Sequence, residues 1–244
     1  MNSTTQLQNS ASSPLKSWIM AARPKTLSAA IVPIVASIGL VQSKGLQIQW
    51  WIVAFALLSS FCIQIGTNFV NDAMDFKKGA DTKDRIGPQR VTQQGIFTFK
   101  QVMIMATVFF AVAVALGIPL VMHGGLPIVV IGVLSVLMGY AYTSGPYPLA
   151  YKGLGDLFVI LFFGLVAVGG MYFLLTGTYD VSAFVLGLQI GFLSTILIAI
   201  NNLRDIHTDV LVNKKTLAVR LGLAGGRLWI CFLIVAPFMA GYYW

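Results

Sequence analysis

The sequence predicts an all-α, polytopic transmembrane bundle of about seven helices. Three observations lead there. Of the 244 residues, 57% are hydrophobic. Charged residues make up only 10%, against roughly 25% in an average soluble domain. The apolar residues are gathered into long unbroken runs rather than scattered. A water-soluble globule needs charge to cover its surface, so that class is excluded. A disordered chain would be poor in apolar residues and is excluded as well.

Seven runs stand out, at 27–41 (reaching back toward Met20), 50–70, 102–122, 126–143, 157–176, 181–200 and 228–244. Most approach the ~20 residues that carry a helix across a hydrocarbon core of ~30 Å. They are continuous rather than alternating, which favours helices over barrel strands. Pro33 interrupts the first run. Residues 1–15 are polar, rich in Ser, Thr, Asn and Gln, and read as a disordered tail. Residues 16–244 then form one transmembrane domain. Cys62 and Cys231 lie in separate apolar runs without metal or redox spacing, and read as small buried residues.

Positive charge orients the runs. With the N-terminus in the cytoplasm, 15 of the 16 Lys and Arg residues fall in inside segments, and only Lys44 falls outside. This asymmetry explains most of the +8 formal charge without nucleic acid. It predicts a multi-pass membrane protein with its N-terminus and both acid-bearing segments on the cytoplasmic side.

The acids carry the functional signal. All eight are Asp, and six lie in two inside segments. The first segment runs from Asn68 through Asn71, Asp72 and Asp75 to Asp81 and Asp84. The second contains Asn201, Asn202, Arg204, Asp205, His207 and Asp209. Asn68, Asp72 and Asp75 share one helical face by spacing, as do Asn201, Asp205 and Asp209. Carboxylates crowded at a membrane boundary repel each other unless a cation lies between them. Asp and Asn oxygens suit Mg²⁺, which is commonly shared with substrate phosphates. Lys77, Lys78, Lys83, Arg85 and Arg90 interleave in one loop, and Arg204, Lys214, Lys215 and Arg220 in the other. Carboxylates, a divalent cation and basic side chains together describe a diphosphate site.

A diphosphate site that opens onto a bilayer suits a lipid diphosphate. Ionisation of a prenyl diphosphate gives an allylic cation, which aromatic faces can shield. Phe69, Phe76, Tyr140, Tyr142, Tyr147 and Tyr151 lie near the site ends of the spans. Taken singly, each is better read as a packing or interfacial residue. His207 is available for proton transfer but reads equally well as a solvated or structural side chain. His123 has no role in this reading.

Two Asp-rich loops on a helical membrane protein resemble the UbiA-type intramembrane aromatic prenyltransferases. Several stretches look more narrowly like its menaquinone branch. They are Ala22-Arg23-Pro24-Lys25-Thr26-Leu27, Asn71-Asp72 through Asp75 to Gly79 and Asp81, Arg85 to Arg90 with Gln93-Gln94-Gly95, Tyr142 to Leu149 with Gly153 to Asp156, and Asn201 to Asp209 with Lys215 to Ala218.

The resemblance implies transfer of a polyprenyl chain from its diphosphate to 1,4-dihydroxy-2-naphthoate. Diphosphate and CO₂ are lost, and the product is a demethylated menaquinone precursor. It implies that Asn71, Asp72 and Asp75, with Asn201, Asp205 and Asp209, hold Mg²⁺ and the diphosphate. Asp75 or Asp81 would take or orient a proton. Arg23, Lys25, Asn68, Arg85, Arg90, Tyr142, Lys152, Asn201 and Arg204 are the expected substrate-binding residues. Many relatives carry a Lys or Arg just after the tyrosine at the end of the fourth helix; this sequence has Pro146 and Tyr147 there, and Lys152 is the candidate substitute. The family has nine membrane helices, so its last helices are expected to be missing from this sequence. A different aromatic acceptor, such as 4-hydroxybenzoate, and a cation transporter or channel are the alternative readings.

Overall fold

The computed structural model describes residues 13–80 and 90–244. Most of the tail, and Asp81, Asp84 and Arg85, lie outside the described residues. Among the described residues every regular element is helical.

Helix α1 (Pro14–Ala22) starts with proline at its first position, and the Ser13 side chain accepts a hydrogen bond from the Lys16 amide. Arg23 then takes a left-handed conformation (φ 53°), and a 3₁₀ turn (Pro24–Leu27) leads into α2 (Ser28–Ser43). Together these pieces make one apolar span of 30 residues, Pro14–Ser43. The first span thus begins before the sequence run at Leu27, because Pro24 opens a new turn rather than ending the helix.

Helix α3 (Trp50–Lys77) has 28 residues, or ~42 Å at a rise of ~1.5 Å per residue. That exceeds a ~30 Å hydrocarbon core, so its last turns project beyond lipid. Those turns carry Asn68 to Asp75. Helix α4 (Phe99–Gly124) opens with a capping box between Thr98 and Gln101 and packs along α3. Helix α5 (Leu126–Ala141) is short at 16 residues, so among the described residues six of the seven expected runs, not all seven, form helices long and apolar enough to cross a membrane. The next span combines α6 (Gly155–Val159), a π-helical stretch (Ile160–Val166) and α7 (Ala167–Thr176). Helix α8 (Val181–Arg204) and the short α9 (Ile206–Leu211) lead to α10 (Leu217–Ala240). The last span starts earlier than its sequence run at Leu228. Gly222 (φ 70°) kinks α10, and Arg220, Arg227 and the glycines between them interrupt its first, Thr216-capped turns as an apolar run.

Two buried clusters hold the bundle. Phe69, Val70, Val91, Val102 and Phe110 pack at the end nearest the acid motifs. Trp18 closes α1 onto this cluster, with its ring stacked 4.0 Å from Phe97 and edge-on to Phe69 at 5.4 Å. Val41, Ile52, Leu120, Met171 and Leu174 pack at the other end. There Lys44 and Asp180 join at 2.6 Å, and Asp180 also caps α8 at the Ser182 amide. The Lys44 hydrogen bond is the main reason the Asp180 carboxyl is drawn down to about 2. Leu58, Ile104, Val112, Leu193, Leu197 and Phe238 remain exposed on the outer face. In water such a surface would drive aggregation, whereas in a bilayer it is the solvated surface.

The π stretch touches α8 through backbone. A Cβ on Gly191 would lie 2.7 Å from the Ile160 carbonyl oxygen, and one on Gly164 2.7 Å from the Gly191 Cα. Small residues permit this close approach where the hydrophobic effect cannot drive helix association. Nearby, Asp156 is 2% exposed and accepts hydrogen bonds from Trp229 Nε1 (2.7 Å) and Asn202 Nδ2 (3.4 Å). One buried carboxylate therefore joins α6, α8 and α10.

Gly191→Ala is expected to lower stability by ~1–3 kcal/mol through overpacking, read as a lower thermal midpoint in detergent. Gly117→Ala, where a new methyl meets nothing within 4 Å, should be neutral or slightly stabilising. Trp229→Phe leaves Asp156 one donor short and should cost ~1–3 kcal/mol in the same assay.

Candidate functional site

The last turns of α3 present the first acid motif to the segment that resumes at Arg90. Asp72 is 1% exposed and accepts hydrogen bonds from the amides of Val91 (3.3 Å) and Thr92 (3.1 Å). Asp75, one turn further on, is held at both oxygens. Arg90 Nη2 reaches Oδ2 at 3.1 Å, and the Tyr151 hydroxyl donates to Oδ1 at 2.8 Å. Asp75, Arg90 and Tyr151 are all buried. Asn71 accepts a short hydrogen bond from the Thr143 hydroxyl. Lys78 caps α3, donates to the Thr143 carbonyl at 2.6 Å and lies 4.2 Å from the Tyr151 ring centroid. Burial lowers the Lys78 pKa, with Asp75 acting against it.

The second motif is built differently from the sequence expectation. Helix α8 ends at Arg204, and Asp205 is the junction with α9. Asn201, Asp205 and Asp209 therefore do not share one continuous helical face, although the Asp209 amide still donates to the Asp205 carbonyl at 2.9 Å. Arg204 forks onto Asp205 with two contacts of 2.7 Å. Asp209 is buried, with Oδ1 3.3 Å from Lys214 and no partner for Oδ2 among the described residues. Burial pushes the Asp209 carboxyl up, Lys214 pulls it down, and Asp205 and Asp75 push it further up.

The two motifs meet through the connector between α5 and α6. Its 3₁₀ turn (Leu149–Tyr151) puts Tyr151 against Asp75, and the Lys215 amide donates to the Tyr151 carbonyl at 3.2 Å. Lys214, the partner of Asp209, lies 5.8 Å from the Tyr151 ring centroid. Arg220 clamps the connector by donating to the Lys152 carbonyl at 2.9 Å. Gly153 (φ 74°) passes so close that a Cβ there would lie 2.6 Å from Arg220 Nε. The convergence expected of the two motifs is thus made by a chain of contacts, Asp75 to Tyr151 to Lys214 to Asp209.

Other expected site residues divide clearly. Arg23 and Tyr142 share this neighbourhood. Burial, Asp156 and Asp75 push the Tyr142 phenol up, while Arg23 opposes them. Asn68 is buried and its amide is spent on the Ala22 carbonyl and the Thr26 hydroxyl, both at 2.9 Å, so it fastens the turn before α2 to α3. Lys25, Lys152, Asn201 and Arg204 are exposed, Lys152 lying over the Tyr147 ring. Asn202, rather than Asn201, makes the inward contact of the pair. Asp81 and Arg85 lie outside the described residues. Of the aromatic candidates, Phe69 is core and Tyr140 bonds Thr107 at 2.9 Å, leaving Tyr142 and Tyr151 at the site. His207 is exposed, and His123 bonds the Leu174 carbonyl at 3.1 Å far along the bundle. Sequence reasoning missed the amides of Val91 and Thr92, the part of Thr143 and the bridging position of Tyr151. Only the turn-rich Gly145-Pro146-Tyr147-Pro148 stretch signalled that this connector would fold back over the helix ends.

Among the described residues no three Asp or His side chains are gathered tightly enough to form a metal cluster by themselves. The donor chemistry nevertheless suits a hard cation. A carboxylate offers about four lone-pair sites. Asp72 and Asp75 each spend two on the contacts above, and the buried Asp209 Oδ2 spends none. Lone pairs remain at this end of the bundle for a divalent ion and its waters.

The UbiA prenyltransferase family profile matches residues 30–244. A 1,4-dihydroxy-2-naphthoate octaprenyltransferase of Haemophilus influenzae is 37% identical over 233 residues, covering 90% of this chain and 74% of that protein. The enzyme of the same name from Escherichia coli is 34% identical over 234 residues, with 90% and 73% covered. A UbiA homolog from Archaeoglobus fulgidus, solved bound to DMAPP and Mg²⁺, shares the fold with a TM-score of 0.71 at 14% identity, over 93% of this chain and 77% of that one. The apolar helical bundle, its paired Asp motifs and these matches lead to one conclusion: the chain is a multi-pass membrane protein of the UbiA prenyltransferase family.

Proposed function

We propose that this chain transfers a polyprenyl group from a prenyl diphosphate to 1,4-dihydroxy-2-naphthoate, with loss of diphosphate and CO₂, as a step in menaquinone biosynthesis. The observation that carries the reading is the meeting of the two acid motifs through Tyr151 and Lys214 at one end of an apolar bundle. The names of the relatives at 37% and 34% identity support the acceptor.

Asn71, Asp72, Asp75, Asn201, Asp205 and Asp209 would hold Mg²⁺, and Asp81 is a further candidate by its place in the first motif. The ion would supply positive charge to the departing diphosphate. Arg90, Lys78 and Lys214 add fixed positive charge around the same locus, where burial strengthens it. Arg23, Arg85 and Arg204 are further candidates for the diphosphate. The C–O bond to the prenyl carbon breaks, and the electron pair leaves with the diphosphate. The electron-rich acceptor ring attacks the allylic cation, and the new C–C bond forms where the carboxylate is lost. No protein nucleophile is required. The protein orients both substrates and excludes water that would quench the cation. The ring of Tyr142 is the candidate to shield it, since the Tyr151 ring faces Lys78 and Lys214. An Asp of the first motif takes or orients the proton of a ring hydroxyl; the ring carbon that loses CO₂ carries no proton to remove.

The 15-to-1 split of Lys and Arg supports a cytoplasmic site face in a bacterial membrane. The motifs lie at one end of the bundle rather than at mid-depth, which weighs against an ion pathway.

Asp72→Ala and Asp205→Ala should each reduce prenyl transfer in membranes by about 10²-fold or more; near-normal turnover in either would overturn the two-motif mechanism. Chelation of Mg²⁺ should abolish turnover, and added Mg²⁺ should restore it. In an acceptor panel, dihydroxynaphthoate should give the prenylated product; product from 4-hydroxybenzoate alone would reassign the branch.

A further inference from the structure

We propose that Tyr151 is a positioning residue that joins the two acid motifs into a single diphosphate site. The proposal rests on the diphosphate reading above and adds a residue that neither motif contains. Three contacts carry it. The Tyr151 hydroxyl donates to Asp75 Oδ1 at 2.8 Å, so that this carboxylate, already held by Arg90 at its other oxygen, is fixed in rotation. The ring lies 4.2 Å from Lys78 Nζ, at the end of the first motif, and 5.8 Å from Lys214 Nζ, beyond the second. Both distances are within the ~6 Å at which a ring face attracts an ammonium group. The Tyr151 carbonyl is in turn held by the Lys215 amide at 3.2 Å, which fixes the residue from the second-motif side.

The cations at the ring indicate the ligand. Lys78 and Lys214 lie over the ring, and Arg90 holds Asp75 beside it, with Asp209 and buried Asp72 as the other nearby acids. Both lysines are half-buried, where an added anion is attracted more strongly than in open water. Each ammonium also keeps donors to spare, since Lys78 spends one on the Thr143 carbonyl and Lys214 one on Asp209. Without the ring, the two lysines would be free to swing toward water or onto the nearest carboxylate. Without the hydroxyl, Asp75 would follow Arg90 alone. Tyr151 thereby keeps Asp75, paired to Arg90, and Lys214, paired to Asp209, at one seam between the motifs.

The test is titration of the purified chain in detergent with inorganic diphosphate in the presence of Mg²⁺, alongside steady-state transfer assays. Tyr151→Phe, which retains the ring, should weaken diphosphate binding about tenfold, the worth of one charge-assisted hydrogen bond. It should raise KM for the prenyl diphosphate and leave KM for the aromatic acceptor unchanged, while the ligand-free thermal midpoint falls to the extent expected for Trp229→Phe, because buried Asp75 loses one donor. Tyr151→Leu should weaken binding further, about threefold beyond the Phe variant. Lys214→Met combined with Tyr151→Leu should cost less than the sum of the two, because the ring acts through that lysine. If Tyr151→Leu fails to fold, the same coupling is read between Tyr151→Phe and Lys214→Met. Parent-like diphosphate affinity in Tyr151→Phe, or an equal rise in both KM values, overturns the role of Tyr151 alone. A parent chain that binds no diphosphate with Mg²⁺ overturns the diphosphate reading itself.

Discussion

Asp75 is gripped from two sides, by the Arg90 guanidinium at 3.1 Å and by the Tyr151 hydroxyl at 2.8 Å, and the arrangement at this end of the bundle depends on that grip. An ionised carboxylate buried without partners is too costly to persist. Here the partners come from two segments far apart in sequence. Arg90 brings in the segment after the first motif, and its neighbours Val91 and Thr92 supply the amides that satisfy Asp72. Tyr151 brings in the α5–α6 connector, and with it Lys215 and Lys214 from beyond the second motif. Removing the pair of contacts at Asp75 would separate the two halves of the site.

Lipid sets the outer terms of the same design. Because hydrocarbon solvates neither charge nor unpaired backbone, charge is gathered at the helix ends. At one end Lys44 and Asp180 satisfy each other. At the other, the length of α3 carries its acids past the apolar core to a place where bases and amides can meet them. Within the bundle the same pressure acts on Asp156, which is tolerated because Trp229 and Asn202 donate to it. Close packing there is achieved without large side chains, through the contact of Gly164 with Gly191.

The site that results is held tightly in some parts and left with capacity in others. Asp72 and Asp75 are fixed by donors from the protein, whereas one oxygen of buried Asp209 has none among the described residues. Asp209 is also raised by the fields of Asp205 and Asp75, so proton or cation uptake there relieves both burial and repulsion. A cation bound nearby would replace the proton and draw the carboxyl back down. The Lys and Arg groups around Tyr151 supply the complementary attraction for an anion.

The sequence by itself determined the class, the approximate places of the apolar runs and the two acid motifs, because each is written in local composition or short spacing. Apolar runs announce spans whatever their neighbours are, and Asp is conspicuous in a chain with so few charges. Tertiary structure decided which members of those motifs meet. Asn68 looked like part of the acid face, yet it is spent on Ala22 and Thr26. The even spacing of Asn201, Asp205 and Asp209 implied one helical face, but Asp205 ends α8 and breaks it. Tyr151 was one of six aromatic candidates, and nothing in its local sequence set it apart. Its role comes from contacts with residues 76 positions before it and more than 60 after it. Such contacts are fixed by how helices of given length and kink pack together, and one-dimensional spacing does not record that.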